Sequence, residues 1–526
     1  MVLSLFRKKD RGGASRAGAV VDRPRMSIHG QHGFGGGAWG QLAQPRPWLE
    51  TTWENAGLFP FVTGTSRPVS GAPIGYDLTS GSAVALDHIS LYKANMITSP
   101  SAMVFGLNGY GKSSLSGLVA AYLNGCGSPL AIFNPLKREE WTPLARAIGA
   151  DVFDIGINRH STKINPLDAG PLAAAGDIIG GQTGVELRAI AVANIVHNII
   201  ALIRINRGRD RGVSDDERTM IKAAVESVMA VEEKPALGHL LNFFEHPTQQ
   251  AVHAAGLNEA SEFKTAYLEL FRSLSALVYG DMAAIFSDEG MTINPGNPGG
   301  FCFDSSSIPD SMDHMISAVM MTTWRLGMNA IDAHWELSQH EAKKVEEAAA
   351  EGEVYTPRYT WHGYSSLMDE FWYPVRMAPG MIQEVDKLSR TNRSVGVGEW
   401  KITHSPKDFL MIDNEADRKI AHSLIGKCGL WVLLALEPED IDVLRTIRPI
   451  STKEAAMVTG FVSGADGLNP AAARKGHGGL QSTGVPEGAG RALWKVGSSV
   501  GIPVQSPKPP TLGRLHQTDT RFTKDA

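Results

Sequence analysis

At 526 residues, with 43% hydrophobic and 20% charged residues, the chain has room for two or more domains and the composition of a globular protein. A formal net charge of −5 excludes a basic surface over the whole chain, so any nucleic-acid contact must be a local patch. Three distant cysteines, Cys126, Cys302 and Cys428, exclude a small disulfide framework and a CxxC pair, and they suit a reducing cytoplasm.

Residues 1–46 carry Arg7, Lys8, Lys9, Arg11, Arg16, Arg23 and Arg25 among glycines and serines. Such a stretch cannot build a core and reads as a disordered basic arm. No apolar run with a cleavage site follows Met1–Asp10, so no secretory signal is visible. Residues 47–96 read as a short β-rich segment. From 97 to 176 the pattern alternates strand and helix: a strand at Met103–Phe105, a helix at Ser114–Leu123, a strand at Leu130–Phe133, a helix at Glu139–Ile148 and a strand at Asp151–Ile155. That order implies a mostly parallel sheet with helices on both faces, an α/β fold.

Residues 177–290 read as an inserted all-α subdomain, with helices over 183–205, 214–230, 235–245 and 259–278. Ser214 with Glu217 three residues on predicts a capping box. The run Leu187–Ile205 contains Asn194, His197, Asn198 and Arg204, which interrupt any membrane span. Leu187, Ala191, Ile195, Ile199 and Leu202 share one helical stripe, which predicts a buried amphipathic helix. The α/β pattern resumes over 291–510, with strands at Gly300–Phe303, Tyr364–Met368, Val395–Thr403 and Leu430–Leu434, a helix over 310–334, and a final hairpin in Leu493–Val504. The charged stretch 340–353 predicts an exposed helix or connector. Residues 463–490 predict a flexible loop, and 511–526 a C-terminal tail.

Between the first strand and helix, Gly106, Gly111, Lys112 and Ser113 satisfy G-x-x-x-x-G-K-[ST]. Glycines there let backbone N–H groups turn inward around phosphates, and the helix N-terminus adds positive potential. The loop Gly106, Leu107, Asn108, Gly109, Tyr110, Gly111, Lys112, Ser113 and Ser114 therefore predicts an ATP site. Lys112 is expected on the β- and γ-phosphates, Ser113 on Mg²⁺, and Ser114 near the α-phosphate.

Hydrolysis at such a loop needs a carboxylate at a neighbouring strand end to hold Mg²⁺ through water, and a second to take a proton from the attacking water. Asp369 and Glu370 offer that pair after a β-prone stretch, although Gly363, Ser365 and Ser366 interrupt its apolar run. Asp304 is a competing strand-end acid without an acidic neighbour. Asp215 with Asp216, Glu139 with Glu140, and Glu232 with Glu233 read as ordinary surface pairs. Arg390 and Arg393 precede the strand Val395–Thr403 and could reach across a subunit boundary to a phosphoryl group, or form a solvated basic turn. His404 follows that strand, where a polar side chain can sense the γ-phosphate or simply finish the strand.

In order, these pieces resemble the motor domain of the TraC-like, VirB-four group of conjugation and type IV secretion ATPases within the HerA/FtsK superfamily. The resemblance rests on Gly106–Ser114, Ala131–Pro135, Trp141–Ala150, the segment Ile164–Asp168, Val213–Ile221, Met368–Trp372, Arg390 through Asp408, and Arg491–Lys495. It covers roughly Ile97 to Val504 and implies a P-loop fold with an inserted helical subdomain. It implies Walker A roles for Lys112 and Ser113, and Walker B roles for Asp369 and Glu370. The arginine-finger region would hold Arg390 and Arg393, and His404 would stand where the family usually carries a glutamine.

Family members generally carry a substantial N-terminal domain, so the chain reads as a motor-only version. The implied protein is a hexameric, cytoplasmic ATPase, peripheral on the inner face of the cell membrane and working with membrane-associated transfer components. The alternatives are a DNA-translocating coupling or packaging ATPase, and a nucleotide-binding scaffold without hydrolysis.

Overall fold

A computed structural model describes residues 26–27, 30–31, 69–134, 140–208, 211–377, 381–412, 414–462 and 488–507, with single positions at 509, 511 and 515. The chain divides into two units, Met1–Gly64 and Thr65–Ala526. The described residues of the first form a short antiparallel hairpin of β1 (Met26–Ser27) and β2 (Gly30–Gln31). The rest of the predicted basic arm, residues 47–68, most of the predicted flexible loop and nearly all of the tail lie outside the described residues.

The second unit is built on a twelve-stranded sheet. Its strands are β3 (Val69–Ser70), β4 (Pro73–Asp77), β5 (Ala83–Leu86), β6 (Ser101–Phe105), β7 (Leu130–Asn134), β8 (Asp151–Asp154), β9 (Gly300–Asp304), β10 (Tyr364–Met368), β11 (Val397–Thr403), β12 (Leu430–Leu433), β13 (Arg491–Val496) and β14 (Ile502–Gln505). The order is β3-β5-β4-β14-β13-β12-β6-β11-β10-β7-β9-β8. From β12 to β8 every pairing is parallel, and β13, β14 and β4 add antiparallel partners on the other side.

The central strands β6, β9, β10, β11 and β12 are buried along their whole length, as expected of a sheet covered on both faces. Side chains alternate between two cores. Met103 and Phe105 enter the one that holds the helical insertion, whereas Ala102 and Val104 meet Leu115, Val119 and Leu123 of the helix Lys112–Gly125. The polar break before Asp369 does not stop β10 from forming. Ser366 is fully buried, and its hydroxyl donates to the Gly398 carbonyl of β11 at 3.3 Å.

The insertion consists of helices Gly170–Ile179, Gly181–Arg207, Asp215–Val231, Leu237–Glu245, Gln249–Ala254, Ala260–Ala266 and Leu268–Tyr279. Ser214 and Glu217 make the predicted reciprocal cap. The single helix predicted over 259–278 is two, because Tyr267 leaves helical geometry at φ −108° and ψ 31°. The helix Gly181–Arg207 is long and apolar enough to cross a membrane, yet all five predicted stripe residues are buried in the protein. Asn165 fastens the insertion to the sheet, donating to the carbonyls of Pro235 at 2.8 Å and Asp288 at 3.3 Å.

The helix predicted over 310–334 runs on through the charged stretch, from Asp313 to Glu351, because that stretch is rich in good helix formers. Glu341, within the stretch predicted to be exposed, is buried and accepts from Tyr355 Oη at 2.9 Å and the Arg358 N–H at 2.8 Å. The segment with Arg390 and Arg393 is the helix Met381–Val395 rather than a basic turn.

Candidate functional site

Register fixes the site. Phe105 of β6 lies beside Thr403 of β11, Lys401 of β11 beside Met368 of β10, and Met368 beside Phe133 of β7. The parallel strands thus end along one edge, and the segments leaving their C-terminal ends share a ledge, the usual place for ligands in such sheets.

The loop after β6 is held from both sides. Its Gly106 N–H donates to the His404 carbonyl at 3.2 Å and its Leu107 N–H to the Ala435 carbonyl at 2.9 Å. A Cβ on Gly106 would stand 2.7 Å from Leu434 Cβ, so any side chain there would force Leu434 to move. Gly111 caps the helix Lys112–Gly125 at φ +97°, a conformation that favours glycine, and no side chain caps that helix. Its first-turn N–H groups therefore face outward with the positive end of the helix dipole behind them. That cradle, with glycine at its lip, fits a phosphate group.

Lys112 is buried, and its ammonium donates to the Gly106 carbonyl at 2.6 Å and the Leu107 carbonyl at 3.2 Å. It also meets His404 Nδ1 at 2.8 Å. An ammonium can only donate, so Nδ1 accepts and the imidazole proton sits on Nε2. Nε2 in turn lies 2.8 Å from Glu370 Oε1. One hydrogen-bonded path thus joins the loop lysine to the acidic pair through the histidine. His404 can make it because β11 stands between β6 and β10.

Both acids are buried, and each has an indole donor. Trp141 Nε1 donates to Asp369 Oδ2 at 2.9 Å, and Trp372 Nε1 to Glu370 Oε2 at 2.8 Å. Glu370 has φ +47°, a strained conformation for a residue with a side chain. The turn it makes lets the Phe371 N–H reach the Ile402 carbonyl at 2.9 Å and swings the Glu370 side chain toward His404. Beside them, burial pushes the Asp408 carboxyl above its ordinary range.

Glu140 is the correction. It is no surface acid: it is buried and accepts the hydroxyl hydrogen bond of Ser113, the residue expected to hold Mg²⁺. Its signal is its place between the end of β7 and Trp141, the residue that holds Asp369. Asp304, the competing acid, ends β9 on the far side of β7 and is held by Thr142 Oγ1 at 2.7 Å and the Ser306 N–H at 3.0 Å. Arg393 is exposed on its helix, and its carbonyl accepts from Tyr92 Oη at 3.3 Å. Arg390 lies on the same helix, and among the described contacts none brings Arg393 to the ledge. Asn108, Gly109 and Tyr110 complete the loop, with the Tyr110 carbonyl accepting from the Gly490 N–H at 2.9 Å. Ser114 follows Ser113 in the first turn of the helix.

No family model matches the chain, and no curated protein does. Among solved structures it is similar to VirB4 of Thermoanaerobacter pseudethanolicus, at 16% identity and a TM-score of 0.55 over 85% of this chain and 99% of that one. It is also similar to plasmid coupling protein TrwB in complex with ADP and Mg²⁺, at 12% identity and a TM-score of 0.43 over 79% of this chain and 87% of that one. The cytoplasmic domain of the Thermomonospora curvata type VII secretion ATPase EccC follows, at 11% identity and a TM-score of 0.27 over 82% of this chain and 28% of that one. The likeness to VirB4 is a likeness of fold, and that fold is the P-loop α/β architecture expected from the order of the motifs.

Proposed function

We propose that the chain is an ATP-hydrolysing motor of a conjugation or type IV secretion-like system, acting as a hexamer at the cytoplasmic face of a membrane. The observation that carries this reading is the path Lys112–His404–Glu370, which links a phosphate loop to a buried acidic pair. The backbone from Gly106 to Gly111, with Lys112 and Ser114, would hold the triphosphate of ATP. Ser113 and Asp369 would hold Mg²⁺, Asp369 through water, and Mg²⁺ would neutralise charge on the phosphates. Glu140, bonded to Ser113, is a second carboxylate able to order the waters of that metal. Glu370 would accept the proton of the attacking water, with Nε2–H of His404 orienting its carboxylate. On phosphate binding Lys112 would exchange its carbonyl partners for phosphate oxygens, and His404 would register the exchange. Arg390 or Arg393 would complete the site of a neighbouring copy.

Steady-state ATPase measurements test this reading. Lys112→Ala should lose ATP binding and turnover together. Glu370→Gln should keep ATP binding and lose roughly 10²–10⁴-fold in kcat, the usual worth of a general base. Equal background rates in the parent chain and both variants would leave only a nucleotide-binding scaffold. A rate that rises strongly with DNA, and falls with salt, would instead favour a DNA-translocating motor.

A further inference from the structure

A cavity of about 530 Å³ opens on the insertion side of the unit, and none of its lining residues belongs to the phosphate loop or the strand-end ledge. Its walls come from the helices Gly181–Arg207, Asp215–Val231 and Asp313–Glu351, with Gln383 and Asp417 from two further helices. Among the described residues four arginines line it, namely Arg204, Arg211, Arg218 and Arg325, and Asp417 is the one lining carboxylate. The cavity therefore collects positive charge in a chain whose net charge is −5.

Among the described residues no carboxylate pairs with Arg204, Arg211 or Arg218. The nearby Glu217 instead takes Arg207 at 2.6 Å. Arg204 is half-buried, and burial together with repulsion from Arg218 holds its guanidinium below the usual range. Like charges gathered in a partly dry cavity disfavour each other, and a bound anion relieves both the repulsion and the lost hydration.

The shape narrows the anion. The volume lies within the roughly 300–1,000 Å³ typical of small-molecule pockets. Its apolar lining is Ile200, Ala201 and Met321, and among the described residues no Trp, Tyr or Phe lines the cavity as a stacking platform for a base. Guanidinium forks match phosphate oxygens two at a time, so the recognised part is a compact run of phosphates. We propose that this cavity binds a small polyphosphate, either free or as the phosphate tail of a nucleoside polyphosphate, through Arg204, Arg211 and Arg218.

Calorimetric titration of the full chain carrying Lys112→Ala, which weakens the phosphate loop, isolates the second site. The probes are tripolyphosphate, ATP and a single-stranded oligonucleotide, at about 150 mM salt, where exposed charges are largely screened. Saturable binding of tripolyphosphate is expected. Adding Arg204→Gln with Arg218→Gln should weaken it by about 10–100-fold, the worth of losing one or two charged hydrogen bonds. The single variant Arg218→Gln changes an exposed side chain and serves as the version certain to be comparable in fold; it should weaken binding by about tenfold. Equal affinity for ATP and tripolyphosphate assigns recognition to the phosphates alone, and tighter ATP binding assigns the tail of a nucleotide. Absence of saturable binding, affinity unmoved by the arginine substitutions, or arginine-dependent binding of the oligonucleotide alone would each overturn the proposal. Failure of Lys112→Ala to affect ATP turnover bears on the motor reading and leaves this site untouched.

Discussion

The strand-end ledge and the arginine cavity hold comparable charge in opposite ways. On the ledge each ionised group meets a partner: Lys112 meets His404, His404 meets Glu370, and indoles hold Glu370 and Asp369. In the cavity Arg204 is repelled by Arg218, and the nearby Glu217 is committed to Arg207. A site whose charges are matched can stay folded and poised before its ligand arrives. One whose charges are unmatched carries a small cost until something fills it. The difference implies that the ledge is sensitive to losing any member, whereas the cavity tolerates losing charge.

Breaking the ledge at its middle should give the largest effect. His404→Leu leaves Lys112 and Glu370 without the group between them, and turnover should fall about 100-fold, the scale of removing one preorganised donor. His404→Gln should recover most of that loss, because an amide can also accept through oxygen and donate through nitrogen. Measuring kcat for both variants checks the point. If Leu and Gln are equally poor, the bridging role is wrong and only the imidazole ring matters.

Much of the ledge is legible in the sequence because its parts are local. The glycine spacing before Lys112, and the adjacent acids Asp369 and Glu370, are properties of a few consecutive residues. The parallel α/β order is legible too, since β6, β7, β9 and β12 are near-continuous apolar runs of the kind buried on both faces. Strand β10 is harder, because Ser365 and Ser366 look like a break until Gly398 of the neighbouring strand is there to accept a hydrogen bond. Glu140 passes for a surface acid for the same reason: nothing near it in sequence says that Ser113 will be beside it. The cavity is not legible at all. Arg204, Arg218 and Arg325 meet only because the insertion folds back on the long helix, and each alone reads as a solvated charge.

Two histidines repeat the contrast in a single residue type. His404 has a partner at each ring nitrogen, whereas His88, buried against Trp400 with ring centroids 5.3 Å apart, has none at either. Burial first, with Lys401 adding and Asp87 and Glu399 opposing, lowers the His88 pKa from 6.5 to about 4. The unfolded chain therefore takes up this proton at higher pH than the folded chain. Stability is fully present above about pH 6.5, falls as pH drops toward 4, and levels off below. This histidine should cost about 2 kcal/mol between pH 7 and pH 5. His88→Phe keeps a ring against Trp400 and should flatten that limb in denaturant titrations. An unchanged slope would mean that His88 does not titrate on unfolding in this range.

The smallest effect sets a paired arginine beside the cavity against an unmatched one lining it, both on one helix. Arg207→Gln removes the partner of Glu217, whose carboxylate the Arg207 hydrogen bonds hold down, and should cost roughly 1 kcal/mol of stability. Arg204→Gln has no such pair to break. It relieves burial of a charge and repulsion from Arg218, so the variant should gain a few tenths of a kcal/mol after allowance for solvent screening. The sign is what matters, and urea midpoints of the two variants at low salt would read it. A loss in Arg204→Gln matching that in Arg207→Gln would show that Arg204 is held by a partner in the empty protein, and the contrast between ledge and cavity would then disappear. A gain that shrinks as salt rises would tie it to unmatched charge, since screening weakens repulsion between partly exposed groups more than it weakens packing.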